Sequence, residues 1–279
     1  MDRRAFFRNT GLGVAAGAAS TLFPLERAVA ALPRPSLPSG DAAADDEAYW
    51  AQLRVLYEPP SDYIDFDQAN TGATPLPVFD AYVRRARFLS RAPAERFESM
   101  WAEDFEKDAK PAVASSLGAA PTQVALVGSA TAALNTVLHG FPMQPGDEIL
   151  VTDHEYPDMI ETIVQRARRY GIVMKTVRVP APTEDGSEIV RRVEQAITAK
   201  TKLLLISTVS AWNAEVLPVK AVTAAARARG VAVLVDAAQS VGILDTDFAD
   251  LGCDFLGASL HKAIGAPIAS GVLLMRAEQ

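Results

Sequence analysis

From residue 121 onwards, short apolar runs alternate with longer segments in which apolar residues recur every three or four positions. Short runs rich in Val, Ile and Leu are typical of buried strands, and the longer periodic segments are typical of amphipathic helices. The pattern predicts strands at residues 123–127, 148–152, 172–179, 202–207, 231–235, 255–258 and 271–275. It predicts helices at 129–138, 158–170, 188–197 and 219–229, and Gly171 and Gly230 end two of these helices.

The segment before residue 121 has a mainly helical pattern. Apolar positions at helical spacing predict a long helix over 96–117, which Gly118 stops. A second helix begins at Pro75 and Pro77 and runs to about residue 90. Residues 63–67 predict a short strand that leads into a turn at 68–72.

Repeated strand–helix units favour an α/β fold, with a mainly parallel central sheet covered by helices on both faces. We therefore predict a three-layer α/β/α domain over residues 63–279. Ligands of such sheets bind beyond the carboxyl ends of the strands. The loops that this rule brings to one edge are 129–131, 154–156, 207–213, 236–239 and 259–262.

The first thirty residues have the pattern of an export signal. Arg3 and Arg4 precede a mildly apolar run, and Ala28-Val-Ala30 has the small-x-small form of a cleavage site. The paired arginines resemble a twin-arginine signal, and the apolar run is too short to span a bilayer. We predict a signal peptide at 1–30, a periplasmic or extracellular location, and no membrane span once the signal is removed. Residues 31–62 are predicted to be a linker and N-terminal segment.

Composition narrows the function classes. The 279 residues are 49% hydrophobic and 22% charged, which is typical of a globular protein. A formal charge of -7 leaves no basic stripe for a nucleic-acid partner. One cysteine excludes an internal disulfide, and three widely spaced histidines do not predict a metal site.

Two side chains at strand ends carry the most chemistry. Asp236 follows the apolar run at 231–235, so its carboxylate is shielded and needs a cationic partner or several donors. Lys262 follows the next strand, where a desolvated amine becomes a nucleophile able to form a Schiff base. Taken separately, Asp236 is equally well explained as a helix cap and Lys262 as a surface lysine.

Other strand ends suggest a phosphate and ring site. Ser129, Ala130 and Thr131 join a strand directly to a helix, where backbone N–H groups and the helix dipole bind anions. Ser129 alone could equally be an ordinary N-cap. His261 could bind phosphate or lie in the core, and Tyr156 could stack on a ring or only pack. Together these groups meet the needs of pyridoxal 5'-phosphate, whose ring nitrogen, aldehyde and phosphate require an acid, an amine and an anion site.

Three segments then carry a resemblance to the class V aminotransferase family of fold-type I pyridoxal-phosphate enzymes. They are Val233-Leu-Val-Asp-Ala-Ala-Gln239, Ser259-Leu-His-Lys262 and Gly271-Val-Leu-Leu. Asn70-Thr-Gly-Ala-Thr-Pro75 and Asp153-His-Glu-Tyr156 are more similar to the isopenicillin N epimerase-like branch than to the cysteine desulfurases.

The resemblance implies a role for each matching residue. Ser129, Ala130 and Thr131 bind phosphate with help from Ser259 and His261, and Tyr156 stacks on the ring. Asp236 pairs with the ring nitrogen, Gln239 lies near the ring hydroxyl, and Lys262 carries the Schiff base and moves the substrate α-proton. Asn70 and Gly72 lie beside the amino-acid substrate.

The chain departs from the family pattern at two places. After the strand at 202–207 the family's Ser/Thr/Gly motif is replaced by Ser210-Ala-Trp-Asn-Ala214, where Asn213 is the substitute contact for the ring hydroxyl. Family members continue beyond the strand at 271–275 into a small C-terminal domain that supplies a substrate-binding arginine and the desulfurase cysteine. Cys253 occupies a different position and is predicted to be a core residue.

The resemblance implies an enzyme that acts on an amino acid or amine by transamination, epimerisation or lyase chemistry, and that forms a homodimer. The alternative is a truncated, non-catalytic remnant that binds cofactor or a partner chain. A third reading, an exported α/β hydrolase, lacks the Gly-x-Ser-x-Gly elbow of that class.

Overall fold

The computed structural model describes residues 46–58 and 62–279. The predicted export signal and most of the predicted linker lie outside these residues. The described residues belong to two units, one that ends at Leu56 and one that comprises Tyr57–Gln279. In the first unit, helix α1 (Glu47–Arg54) begins where the Asp46 carboxylate accepts hydrogen bonds from the N–H groups of Ala48 and Tyr49. Such a cap satisfies donors that have no partner within the helix.

The second unit is built on a seven-stranded sheet, which confirms the predicted fold class. Its strands are β1 (Val124–Val127), β2 (Glu148–Thr152), β3 (Val173–Val177), β4 (Thr201–Ser207), β5 (Ala232–Asp236), β6 (Phe255–Ser259) and β7 (Gly271–Met275). Their spatial order is β1-β7-β6-β5-β4-β2-β3. The pairs from β3 to β6 are parallel, and β7 is antiparallel to both β6 and β1.

Eight further α-helices belong to this unit among the described residues. They are α2 (Leu76–Arg91), α3 (Pro93–Ser99), α4 (Lys110–Ser116), α5 (Ala130–Gly140), α6 (Pro157–Tyr170), α7 (Gly186–Ala196), α8 (Val219–Arg227) and α9 (Phe248–Leu251). None of the helices described for residues 46–58 and 62–279 is long and apolar enough to cross a membrane.

Helices cover both faces of the sheet because its strands are apolar on both sides. In β4, Leu203 and Leu205 pack with α5 and α6 on one face, whereas Leu204 and Ile206 pack with α7 and α8 on the other. All four leucine and isoleucine side chains are fully buried. Continuous apolar strands of this kind are typical of parallel sheets. The arrangement leaves the carboxyl edge of the sheet as the place where polar side chains gather.

The predicted helix at 96–117 is helical along its length but is not one regular α-helix. A π-helix, Met100–Ala109, joins α3 to α4, and the N–H of Lys110 bonds to the carbonyl of Phe105 five residues back. Pro111 follows directly, and a proline ring clashes with the carbonyl four residues before it. The wider turn accommodates that ring, a local effect that helical periodicity does not reveal.

The predicted strand at 63–67 is wrong, since this segment is irregular. The carboxylates of Asp65 and Asp67 accept hydrogen bonds from the N–H groups of Asp67 and Ala69, at 2.9 and 3.2 Å. These local bonds offer the backbone an alternative to a strand ladder. Aspartate spacing therefore outweighs the apolar alternation here.

Candidate functional site

A cavity of about 170 Å³ lies at the carboxyl edge of the sheet. All of the predicted site residues except Gly72 and Asn213 line it. The cavity wall also includes apolar and small residues that sequence patterns did not single out, namely Leu134, Ser207, Val209, Ala211 and Ala238. The strand-end rule thus brings the predicted side chains into one site.

Asp236 is the last residue of β5 and is 7% exposed. Its Oδ1 accepts a hydrogen bond of 2.9 Å from the N–H of Ala238. Burial raises the pKa of Asp236, while the Ala238 N–H and the positive charge of Lys262 oppose that rise. A buried carboxylate with one backbone donor gains from a further cationic partner in the cavity.

Lys262 lies just after β6 and is half-buried in the same cavity. Burial lowers the pKa of Lys262, and the negative charge of Asp236 partly offsets this effect. A lower pKa leaves more of the amine unprotonated and therefore nucleophilic. The amine and the carboxylate thus favour each other's charged forms, although burial outweighs that attraction for both groups.

Gly72 supports the backbone that carries Lys262. Its N–H donates to the carbonyl of His261 at 2.8 Å, and an added Cβ atom would lie 1.9 Å from the Lys262 carbonyl oxygen. Only a residue without a side chain allows this close approach. The structure therefore places Gly72 against the Lys262 backbone, behind the cavity wall.

The start of α5 forms the anion end of the cavity. The Ser129 hydroxyl accepts from the N–H of Ala132 at 3.1 Å, and the Ser259 hydroxyl accepts from the N–H of Ala130 at 2.9 Å. Each hydroxyl is held as an acceptor and keeps its own proton to donate. Ser129 is thus an N-cap, and Thr131 joins these hydroxyls in lining the cavity. The donors and the helix dipole suit a phosphate group.

His261 is oriented by the loop that follows β6. Its Nδ1 lies 2.8 Å from the carbonyl oxygen and 3.4 Å from the backbone nitrogen of Ser270, and the shorter contact is a hydrogen bond when Nδ1 carries the proton. Nε2 can then donate to an anion only when the ring holds both protons. His261 lines the cavity and fits the predicted phosphate contact in its cationic form.

We expect Gly271→Ala to disturb the anion end of the cavity. A Cβ atom on Gly271 would lie 2.6 Å from Ser129 Cα, so the backbone of Ser129 at the start of α5 must shift. The variant should unfold about 1–3 kcal/mol more easily, the usual cost of overpacking, and should bind pyridoxal 5'-phosphate less tightly. Urea unfolding and cofactor titration measure the two effects.

Gly140→Ala is the matched control for this substitution. Gly140 ends α5, and an added Cβ atom there meets nothing within 4 Å. Alanine at this helical position should leave stability unchanged or raise it by up to about 1 kcal/mol. Equal effects of the two substitutions would show that the close contact with Ser129 does not matter.

Tyr156 and Gln239 lie at the mouth of the cavity. Tyr156 precedes α6 and is 41% exposed, so its ring is available to cover a ligand. The Gln239 side-chain amide donates to the carbonyl of Ala69 at 3.2 Å. This bond ties the segment that carries Asn70 to the loop after β5, and Asn70 itself lines the cavity.

Asn213 lies apart from the cavity wall. Its side-chain amide donates to Glu215 at 3.2 Å, and its oxygen accepts from the Glu215 N–H at 3.3 Å. It is exposed and closes a local turn. The structure instead places Ser207, Val209 and Ala211 from the same segment at the cavity.

Sequence patterns also missed Glu155, which is 3% exposed beside the site. Its two carboxyl oxygens are joined to the hydroxyls of Thr152 and Ser207 at 2.5 and 2.6 Å. The available signal was a glutamate one residue before the predicted ring-stacking position, Tyr156. Its burial depends on the packing of β2 beside β4, which the sequence does not display.

The donor set fits pyridoxal 5'-phosphate. A buried acid, a half-buried amine and a hydroxyl-rich helix start line one cavity, in the combination that the ring nitrogen, aldehyde and phosphate require. The described cavity wall carries no arginine.

The sequence has well-matched relatives of known family. The family model described as aminotransferase class-V matches residues 64–279. Isopenicillin N epimerase of Amycolatopsis lactamdurans is 34% identical over 235 residues, which cover 82% of this chain and 58% of that protein. The enzyme of the same name from Streptomyces clavuligerus is 33% identical, with 83% and 57% covered. A cysteine desulfurase of Pectobacterium atrosepticum is 36% identical over 165 residues, 58% of this chain and 40% of that protein.

Solved structures share the fold. A lysine-to-alanine mutant of C-DES with glycine covalently linked to the PLP cofactor superposes with a TM-score of 0.72 at 25% identity, covering 82% of this chain and 59% of that one. The cystine C-S lyase C-DES in complex with cysteine persulfide gives a TM-score of 0.71 at 25% identity, with 81% and 59% covered. The chain spans less than two thirds of the length of these relatives.

Proposed function

This chain belongs to the aminotransferase class-V family, and we propose that it binds pyridoxal 5'-phosphate through Lys262 and acts on an amino acid or amine. The family and the isopenicillin N epimerase-like branch predicted from sequence are confirmed. The cofactor prediction is confirmed at the level of the family's solved relatives, which include a PLP-linked structure. The reaction subtype is proposed as transamination, epimerisation or lyase chemistry.

One observation carries the proposal. Asp236 ends β5, Lys262 comes shortly after the neighbouring parallel strand β6, and both line the same cavity. The cofactor supplies an electron sink for negative charge that develops at the substrate Cα. With the cofactor bound, Asp236 would provide the negative charge beside the ring nitrogen. Lys262 would provide the amine that holds the aldehyde and, once the substrate amine has replaced it there, would be the free base able to move a proton at Cα.

The remaining lining residues would position the cofactor and exclude water. Ser129, Thr131 and Ser259 line the cavity at the start of α5 and would anchor the phosphate there, which would hold the aldehyde in a fixed place for Lys262. Leu134 and Val209 form apolar parts of the wall, which limit water beside the reacting atoms. The roles of Ser129, Thr131 and Ser259 are the ones expected from the sequence.

The single cysteine does not support desulfurase chemistry in this chain. Cys253 is 1% exposed at the far end of the sheet, just before β6, and burial raises its pKa to about 12. A buried, protonated thiol is a poor nucleophile. Cys253 is therefore not suited to act as a desulfurase nucleophile.

A second candidate function is cofactor binding without turnover. It is favoured by the absence of arginine from the described cavity wall, since an arginine is the usual bidentate partner of a substrate carboxylate. The chain also spans 58% of the epimerase relative.

A visible absorbance spectrum tests the proposal. Adding pyridoxal 5'-phosphate to the full chain should produce the absorption band of a covalent lysine–cofactor linkage. Adding candidate amino acids should then shift the band if the chain is an enzyme, because only a reacting site exchanges its amine partner. No band with excess cofactor would refute cofactor binding, and a band that no amine shifts would favour the second candidate.

Export and dimerisation are further proposals for this chain. The paired Arg3 and Arg4 support twin-arginine export to the periplasm or beyond, and N-terminal sequencing of the exported protein checks it. Ile243, Ile264 and Ile268, in the loops after β5 and β6, are exposed and support a homodimer at this edge. Light scattering measures that state.

A further inference from the structure

The buried carboxyl of Glu155 has no role in the function proposed above. It lies in the loop between β2 and α6 and is 3% exposed. Oε1 is joined to Thr152 Oγ1 at 2.5 Å, and Oε2 is joined to Ser207 Oγ at 2.6 Å. Both partners are neutral hydroxyls, so no positive charge compensates an ionised Glu155 through these bonds. Burying a charge in this way is unfavourable unless the group keeps its proton.

Glu155 reaches the cofactor cavity through Ser207. Ser207 ends β4, is paired in register with Asp236 of β5, and lines the cavity. Glu155 is therefore hydrogen-bonded to a residue of the cavity wall, Ser207. Ser207 is the β4 neighbour of Asp236, the carboxylate that would face the ring nitrogen. The position of the Ser207 hydroxyl depends on the Glu155 carboxyl.

The charged groups around Glu155 determine which of the two buried acids, Glu155 or Asp236, is ionised. Asp236 faces it from β5, and the negative charge of Asp236 disfavours ionisation of Glu155. Lys262 favours the ionised form of Asp236 from the loop after β6. On Glu155's own loop, Asp153 is bonded to the Val179 N–H, and His154 donates its N–H to Thr152 Oγ1. Two negative charges in one poorly solvated region repel, so one acid retains its proton.

Asp236 is the acid better suited to carry the charge. It has both a backbone N–H donor and the nearby Lys262 cation. The partners of Glu155 are the hydroxyls of Thr152 and Ser207 and the Ser207 backbone, and none of these groups is charged. Burial is the largest influence on Glu155 and raises its pKa to about 8.

We propose that Glu155 is a positioning residue of the cofactor site, a protonated carboxyl that orients the Ser207 hydroxyl and leaves Asp236 as the single negative carboxylate. Thr152 Oγ1 accepts from the His154 N–H and donates its proton to one oxygen of Glu155. Ser207 Oγ lies 2.6 Å from the other oxygen and would donate to an ionised carboxyl. If that oxygen carries the proton, it donates to Ser207 Oγ instead, and the Ser207 proton is then free for the cavity. The positioning role rests on the proposed cofactor binding, but the protonation does not.

The pH dependence of stability tests the protonation on the full chain without cofactor. The pKa of Glu155 is raised from 4.5 to about 8 on folding, so its contribution to stability is lost as pH rises through that window. Urea unfolding of the wild type should show this fall. Glu155→Gln should remove the part of this fall that Glu155 contributes, because the amide donates to one hydroxyl and accepts from the other at every pH. The Gln variant should be the more stable chain at pH 8.5.

Glu161→Gln is the matched control, because Glu161 is exposed on α6. It should keep the wild-type pH dependence. If Glu155→Gln also keeps the wild-type pH dependence, Glu155 is not protonated in the folded chain and the proposal is overturned. The second expected result is an infrared band of a protonated carboxyl in the wild type at pH 6. The band should be absent from Glu155→Gln. If it persists in that variant, Glu155 is not the source of the band.

Cofactor titration tests the positioning role. Glu155→Ala should weaken pyridoxal 5'-phosphate binding about tenfold, a loss typical of one misplaced hydrogen-bond donor, and Glu155→Gln should recover part of the loss. Equal affinities for Ala, Gln and wild type would overturn the positioning role. If the wild type shows no cofactor band at all, the proposed function fails, while the unfolding experiment still decides the protonation of Glu155.

Discussion

The Lys262→Ala chain should bind pyridoxal 5'-phosphate without forming the covalent band. The substitution removes the amine that lines the cavity beside Asp236, while the hydroxyls of Ser129 and Ser259 at the phosphate end remain in place. Binding should therefore weaken but stay measurable, because anion contacts and the covalent bond contribute separately. Absorbance and equilibrium dialysis measure the two contributions.

Lys202→Ala is the matched control for that substitution. Lys202 is an exposed lysine at the start of β4, at the opposite edge of the sheet from the cavity. This variant should give the wild-type band. Borohydride reduction followed by peptide mapping should place the modified lysine at 262, and a label on any other lysine would refute the site assigned here.

The loss of covalent linkage should not unfold the chain. Lys262 is half-buried, and burial lowers its pKa, so removing the amine relieves some desolvation of the charged form. The same change removes a positive charge that favours ionised Asp236, so the pKa of Asp236 should rise further. Urea unfolding of Lys262→Ala at pH 7 should thus stay within about 1 kcal/mol of wild type, a common range for partly exposed sites.

Periodicity was sufficient to predict the sheet and the edge at which the site forms. The apolar runs of β4 and β5 predict strands buried on both faces, and the strand-end rule then places Asp236 and the residues around Lys262 together. The antiparallel direction of β7 did not follow from its apolar run, because the residue pattern of a short strand does not indicate whether the strand runs parallel or antiparallel to its neighbours.

Features that depend on neighbours in space could not be predicted. Glu155 is recognisable only once β2 packs beside β4 and brings Thr152 and Ser207 to its two oxygens. Asn213 was assigned by its position in a family motif, but its contacts with Glu215 keep it in a local turn. Gly72 was assigned to the substrate, whereas its missing side chain makes room for the Lys262 backbone.

Asp236→Asn should separate cofactor binding from catalysis. Asparagine keeps the shape of the side chain and can still accept from the Ala238 N–H, but it removes the charge that holds the ring nitrogen in its cationic form. Losing one partner of a buried charge pair costs about 3–5 kcal/mol. We therefore expect α-proton exchange of a bound amino acid to slow by on the order of 10²- to 10⁴-fold, with a much smaller loss of cofactor affinity.

Asp254→Asn is the matched control, because it also replaces a buried aspartate but at the opposite edge of the sheet. Asp254 is 3% exposed just before β6, and its carboxylate accepts from the Val233 N–H at 2.9 Å. This variant should lose stability without changing the exchange rate per folded chain. Proton exchange followed by NMR, with folded protein measured by circular dichroism, distinguishes the two. Equal exchange rates in Asp236→Asn and wild type would mean that the ring nitrogen needs no negative partner at residue 236, and the assignment of Asp236 would fall while that of Lys262 would stand.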